Sequence, residues 1–367
     1  MLFTRSKPLA KPRHSGGIDL LKITAVFLIL FFHVGFEVRP AAISEGNRLF
    51  MAFSGSFGIY AVDVFFVIAA YFLIESGFRK DRFLSYLFVV LFFIVYQSLL
   101  FGVDHAHELN QTGFEIFGEW LLRSFIYGAL LTNIFWFASV FLFLNVFFPF
   151  VVKQLDAKLP DRALPLFLAH VLIFLAVFNF INTRTNLEEP IFFFGVYLLV
   201  YTLKRLHFAP KAYFTLPGFF LLYAAVALSR FFQPGLPPAL RTLLDFTTGN
   251  ISTNSSTMLL LALLAFYGVK DLPLPPLPAI SYLNQGSFAV YLIHANPLFS
   301  LMTHLYNRAF PVLFHFDPLT VGLEGRFIPI VLALAGFVYV FGTLVGLLLA
   351  KIYPYLKRQA SPDYRPA

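Results

Sequence analysis

Long apolar stretches, following one another from end to end, constrain this chain more than any other feature. They fall near residues 17–36, 57–78, 83–103, 133–152, 163–182, 190–206, 212–232, 252–269, 286–306 and 327–352. Each is long enough, or nearly so, to cross the hydrocarbon core as a helix, whereas a membrane barrel would show short alternating segments. With 59% hydrophobic and only 13% charged residues, the chain lies outside the range of a soluble globular domain. The expected fold is all-α: a polytopic transmembrane helical bundle of about ten spans. Glu115–Leu131 is short and carries Glu119 and Arg123, so it is expected at the interface or as a re-entrant piece.

Charge placement sets the expected orientation. Arg5, Lys7, Lys11 and Arg13 precede the first apolar run, and no small-residue cleavage site ends it, so that run is expected to remain as an anchor. Ten spans with a cytoplasmic N-terminus put 18 Lys/Arg inside and 8 outside, with Lys22 in the first span completing the 27. The positive-inside rule therefore favours N- and C-termini that are both cytoplasmic. Residues 1–16 and 354–367 are then cytoplasmic tails around a single membrane domain, 17–353. The net charge of +8 is topological on this reading; no basic patch interleaved with stacking aromatics points to nucleic acid. The absence of cysteine excludes disulfides, thiolate metal sites and a cysteine nucleophile, and no metal site is expected.

Ionisable residues inside a bilayer are costly and usually functional. Lys22 and His33 both lie in the first run, eleven residues apart, which is three helical turns plus about 20° and about 16 Å of rise. They therefore share a helix face. Asp19, one turn before Lys22, can hold its ammonium; the competing role for Lys22 is to snorkel to the surface. In the second run, counted from residue 57, Asp63 falls at a depth similar to that of His33. If the two helices pack as an antiparallel pair, Asp63 can fix the imidazole tautomer as in an acid–histidine pair. A structural hydrogen bond between the helices would use the same atoms. Glu75 is placed to face Lys22. Arg79, Lys80 and Arg82 follow as a basic loop, which suits an anionic ligand and equally serves as a topological signal. In the ninth run, His294 and Asn296 sit beside Pro297, whose missing N–H opens backbone polar groups toward a lining. Trp136 and the polar segment Asn250–Thr257 are more readily explained by helix packing.

These motifs together resemble the integral-membrane acyltransferase-3 family, which includes O-acyltransferases of surface polysaccharides. GIDLLKITAVFLILFFHV resembles its first helix, an Arg/Lys-x10-His element with a preceding acid, through Asp19, Lys22 and His33. YAVDVFFVIAAYFL is similar to its D-x-F-F-V segment through Asp63. Arg79, Lys80 and Arg82 match its basic loop, FWFASVFLFLNVFFP its W-F/Y…P segment, and SFAVYLIHANP its late Y-L-I-H element. Ala69 and Ala70 stand where many relatives have Ser-Gly, and Lys22 takes an arginine position.

The resemblance implies a membrane-bound O-acyltransferase in a bacterial cytoplasmic (inner) membrane. It would move an acyl group, commonly acetyl, from cytoplasmic acyl-CoA to a hydroxyl of a cell-surface or lipid-linked glycan. No bound cofactor is expected; acyl-CoA is the donor substrate, and the glycan acceptor and membrane lipids are the partners. His33 and Asp63 are the expected catalytic residues. Asp19, Lys22, Arg79, Lys80, Arg82, His294 and Asn296 are the expected donor- and substrate-binding residues. The alternative from another class is a glycan or lipid transporter or flippase that uses the buried His and Asp as a proton relay.

Overall fold

The computed structural model describes residues 16–37, 43–104, 136–178, 188–238, 255–275, 278–294, 305, 309–317 and 320–360. Among them there are helices and no strand. The principal helices are α1 (Gly16–Glu37), α2 (Glu45–Ser76), α3 (Lys80–Asp104), α4 (Trp136–Lys158), α5 (Leu164–Phe178) and α6 (Glu188–Arg205). They continue with α7 (Ala212–Phe232), α8 (Ser256–Val269), the short α9 (Pro278–Asn284), α10 (Ser287–His294), α11 (Phe310–Phe314) and α12 (Phe327–Ala360). Among the described residues, five segments are long and apolar enough to cross a membrane: Gly16–Val34, Phe137–Lys158, Asp161–Phe178, Ala212–Phe232 and Phe327–Pro354. The apolar runs at 57–78, 83–103, 190–206 and 252–269 lie within or overlap α2, α3, α6 and α8. Glu115–Leu131 lies outside the described residues, as does the ninth run beyond His294 apart from Leu305.

The helices divide into central and peripheral ones by the same logic that separates core from surface in a soluble protein, with lipid in place of water. α1 packs on α2, α8, α9, α10 and α12. α5 and α7 instead turn large side chains outward, with Ile173 62%, Leu221 73% and Phe214 69% exposed. Surfaces of that kind are unfavourable in water and suit a bilayer. This is an integral membrane protein.

Close helix contact at the centre depends on small residues, because lipid supplies no hydrophobic drive for helices to associate. A Cβ on Gly58 of α2 would stand 2.0 Å from the Phe32 Cβ of α1, and one on Gly346 of α12 would stand 2.6 Å from the Gly286 Cα ahead of α10. The α1–α2 pair is antiparallel: Phe31 meets Phe50 with ring centroids 5.1 Å apart, Phe32 meets Gly58, and Lys22 Nζ lies 5.6 Å from the Phe72 ring centroid.

α2 begins at Glu45, well before its apolar run, because its start is held by polar contacts. The Ser44 hydroxyl accepts from Asn47 N at 3.3 Å. Asn47 Nδ2 donates to the carbonyl oxygens of Gly322 at 2.7 Å and Glu324 at 3.1 Å. The helix therefore extends 32 residues, longer than a bilayer crossing requires.

Candidate active site

Two cations and a histidine open onto the interior of the bundle. Around α1 the outward stripe passes through Leu20, 46% exposed, and exposed Thr24. Lys22 and His33 lie about 140–160° from Leu20 around the axis, on the side that packs against α2. Both keep some accessible surface. The sequence expectation that the two share a face holds, since both lie in the unbroken helix α1. Between them on that face, Val26 and Ile29 are each only 2% exposed. The path from Lys22 to His33 is therefore filled by two aliphatic side chains at its middle.

The facing stripe of α2 carries Gly58, Phe65, Ala69 and Phe72, all within about 60° of one another. Phe65, Ala69 and Phe72 are half-buried. Phe65 meets Phe137 of α4 at 6.1 Å, and Phe137 meets Tyr291 of α10 at 4.5 Å. From α3, Tyr86 lies against Phe141 of α4 at 5.3 Å and Phe288 of α10 at 5.2 Å. These residues wall the interior on the sides away from α1.

At the Lys22 end, Arg79, Lys80 and Arg82 are exposed and make no ion pair among the described residues. The Arg82 charge lies near both Lys22 and Tyr86, so the basic turn adjoins them. Asp19 is also close enough to act on Lys22. Its buried carboxylate, however, accepts from the Ser281 hydroxyl at 2.6 Å, and Asn284 Nδ2 donates to its backbone oxygen at 3.1 Å. The acid expected to hold Lys22 also fastens the start of α1 to α9.

Two expected pairings do not form. Glu75 Oε1 lies 2.5 Å from Lys204 Nζ of α6, and that ammonium also donates to the Tyr71 carbonyl at 2.8 Å; Glu75 pairs with Lys204 rather than Lys22. Asp63 is fully buried, and neither of its carboxylate oxygens has a hydrogen-bond partner among the described residues. It is not bonded to His33. The reason is geometric. His33 stands beside Phe32, opposite Gly58, while Asp63 is five residues further along α2, about 7.5 Å deeper and about 140° around the axis. It lies between Tyr60, which meets Phe219 of α7, and Phe66, which stacks on Phe193 of α6 at 3.6 Å. Counting depth from residue 57 placed it too near the membrane surface.

His294 is the last described residue of α10; its side chain, that of Trp136, and all of Asn296 and Pro297 lie outside the described residues. In the polar start of the eighth run, the Ser256 hydroxyl donates to the Leu175 carbonyl at 3.2 Å, a packing contact between α8 and α5. Among the described residues no cluster of His, Asp or Glu has the arrangement of a metal site.

The acyltransferase-3 profile, described as an acyltransferase domain, matches residues 15–351. The chain belongs to the acyltransferase-3 family. No curated protein and no solved structure matches it. The family gives this membrane protein a reaction class, acyl transfer. The aromatic interior also contains residues that sequence motifs passed over, chiefly Tyr86, Tyr197 and Tyr291. For Tyr86 a signal existed: it follows Arg82 by four residues, one turn further along the same helix face.

Proposed function

We propose that this protein transfers an acyl group, acetyl in the simplest case, from cytoplasmic acyl-CoA to a hydroxyl of a cell-surface or lipid-linked glycan. The observation that carries the reading is the exposed basic turn, without an ion pair among the described residues, beside Lys22 on the helix whose same face carries His33. A cation cluster without internal partners is suited to phosphates, and the donor presents several. In this scheme both termini are cytoplasmic and Arg79, Lys80 and Arg82 hold the nucleotide phosphates. Lys22 adds a point charge rather than a bidentate fork.

His33 acts as general base. It takes the proton of the acceptor hydroxyl as that oxygen attacks the thioester carbonyl; the tetrahedral intermediate expels the CoA thiolate, and the imidazolium returns the proton to it. Asp63 has no part in orienting the imidazole, since it lies on another face of α2. The filled middle of the Lys22–His33 face requires Val26 and Ile29 to shift for the thioester to reach His33. His294 and Asn296 belong to the acceptor side of the scheme.

The test is a purified His33→Ala variant in lipid nanodiscs. It should bind CoA as wild type does and lose acyl transfer by about 10²–10⁴-fold, the usual contribution of a general base. Turnover at the wild-type rate in a correctly folded variant removes His33 from the chemistry.

A further inference from the structure

The basic turn and His33 leave unexplained two phenols in the interior. Tyr86 of α3 is half-buried, and its hydroxyl makes no hydrogen bond among the described residues. Tyr197 of α6 is fully buried, packed between Phe148 at 4.9 Å and Phe66 at 6.4 Å, and its hydroxyl is likewise without a partner among the described residues. A run of ring contacts joins the two: Phe141, against Tyr86, stacks on Phe137 at 6.0 Å, and Phe137 meets Phe66 at 4.9 Å, which in turn meets Tyr197. Buried hydroxyls are nearly always satisfied, because leaving one unpaired forfeits its hydration without return. The buried Tyr197 hydroxyl, joined to the accessible Tyr86 phenol through one aromatic cluster, points to a polar group that is not part of the chain.

The surroundings narrow the chemistry of that group. Arg82 precedes Tyr86 by one turn on α3, about 6 Å along the axis, and Lys22 lies within reach of the Arg82 charge. Beyond the cations the wall becomes aromatic, through Phe141 and Phe288 against Tyr86. Moving inward, a ligand meets guanidinium and ammonium, then phenols set among phenyl rings. A molecule with an anionic head and a neutral arm bearing amides matches that sequence. A wholly apolar chain would leave the hydroxyls unpaired, and a second anion would find no cation at their level.

We propose that Tyr86 and Tyr197 are binding residues for the amide-bearing arm of the donor, their hydroxyls donating to its carbonyl oxygens while Arg82 and its neighbours hold the phosphates. The proposal rests on the acyl-CoA reading and adds the part of the site that recognises the arm. Phenylalanine preserves ring size and packing, so the hydroxyl alone is tested by Tyr86→Phe and Tyr197→Phe. Calorimetry with the full chain in nanodiscs would compare CoA with adenosine 3′,5′-bisphosphate, which carries the head without the arm. Each variant should weaken CoA binding by about 3- to 10-fold, the range of one neutral hydrogen bond, and leave the head fragment binding as in wild type. That unchanged binding also shows that the variants are folded. Equal CoA affinity in wild type and both variants overturns the proposal, leaving water as the partner of the hydroxyls. Parallel loss for CoA and the head fragment overturns it as well, because the arm is then not what the phenols recognise. If wild type binds neither molecule, the acyl-CoA reading fails first and this proposal fails with it.

Discussion

Two basic clusters lie at the same end of α2 and differ in what answers their charge. On α6, Lys204 is held by Glu75 and the Tyr71 carbonyl. Its neighbour Arg205 reaches Asp156 at 3.0 Å, the Tyr201 hydroxyl at 2.8 Å and Asp161. On the α2–α3 turn, Arg79, Lys80 and Arg82 have no such partners among the described residues. In the orientation proposed above, both clusters fall under the same topological rule. The first joins helices through its ion pairs, tying α6 to α2 and to the end of α4. The second leaves its charge exposed, near Lys22 and Tyr86. Substitutions should divide accordingly, with stability changing in one cluster and donor affinity in the other.

The largest expected effect is on stability. The Lys204 and Glu75 side chains are 8% and 13% exposed, so Lys204→Ala strands a buried carboxylate. That costs about 3–5 kcal/mol, read as a fall in thermal stability of the purified protein. A paired change, Lys204→Met with Glu75→Gln, should restore most of it. If Lys204→Ala instead leaves stability intact and abolishes donor binding, the division between the clusters collapses.

Next comes Arg82→Ala. Loss of a charge-assisted contact to phosphate predicts about 10- to 100-fold weaker CoA binding, steeper at low salt because the site is exposed to solvent. Thermal stability should change by less than about 0.5 kcal/mol. A destabilised Arg82→Ala would mean that the turn also carries structure.

Gly58→Ala tests the contact that sets the level of His33 against α2. The added methyl would meet Phe32, and overpacking of this kind costs about 1–3 kcal/mol; a neutral result would show that the two helices have room to separate. Arg205→Ala is expected to matter least. Its partners Asp156 and Asp161 are 52% and 84% exposed, and screened pairs contribute about 0–1 kcal/mol. A larger loss would show that the Tyr201 network is cooperative.

The parts of this molecule legible in the sequence are those governed by local periodicity. The apolar runs find their helices, and eleven residues at 3.6 per turn place Lys22 and His33 on one interior face. Tertiary contacts were not legible in the same way. Hydropathy reports where lipid begins, while Ser44 and Asn47 determine where α2 begins through contacts to Gly322 and Glu324. That difference alone misplaced Asp63 relative to His33. Asp19 found Ser281, 262 residues away, and Glu75 found Lys204; no spacing rule joins residues so far apart. Tyr197 sits in an apolar run with nothing local to mark it, and only the packing of α3, α4 and α6 brings it toward Tyr86.

Acyl transfer through the Lys22–His33 interior is tested most directly by following label from radiolabelled acetyl-CoA into glycan in reconstituted membranes, with wild type and His33→Ala side by side. The account predicts labelled glycan with wild type and almost none with the variant, while both bind CoA equally. Equal labelling by the two proteins would contradict it, as would glycan movement across the membrane by wild type without any acyl donor and without labelling.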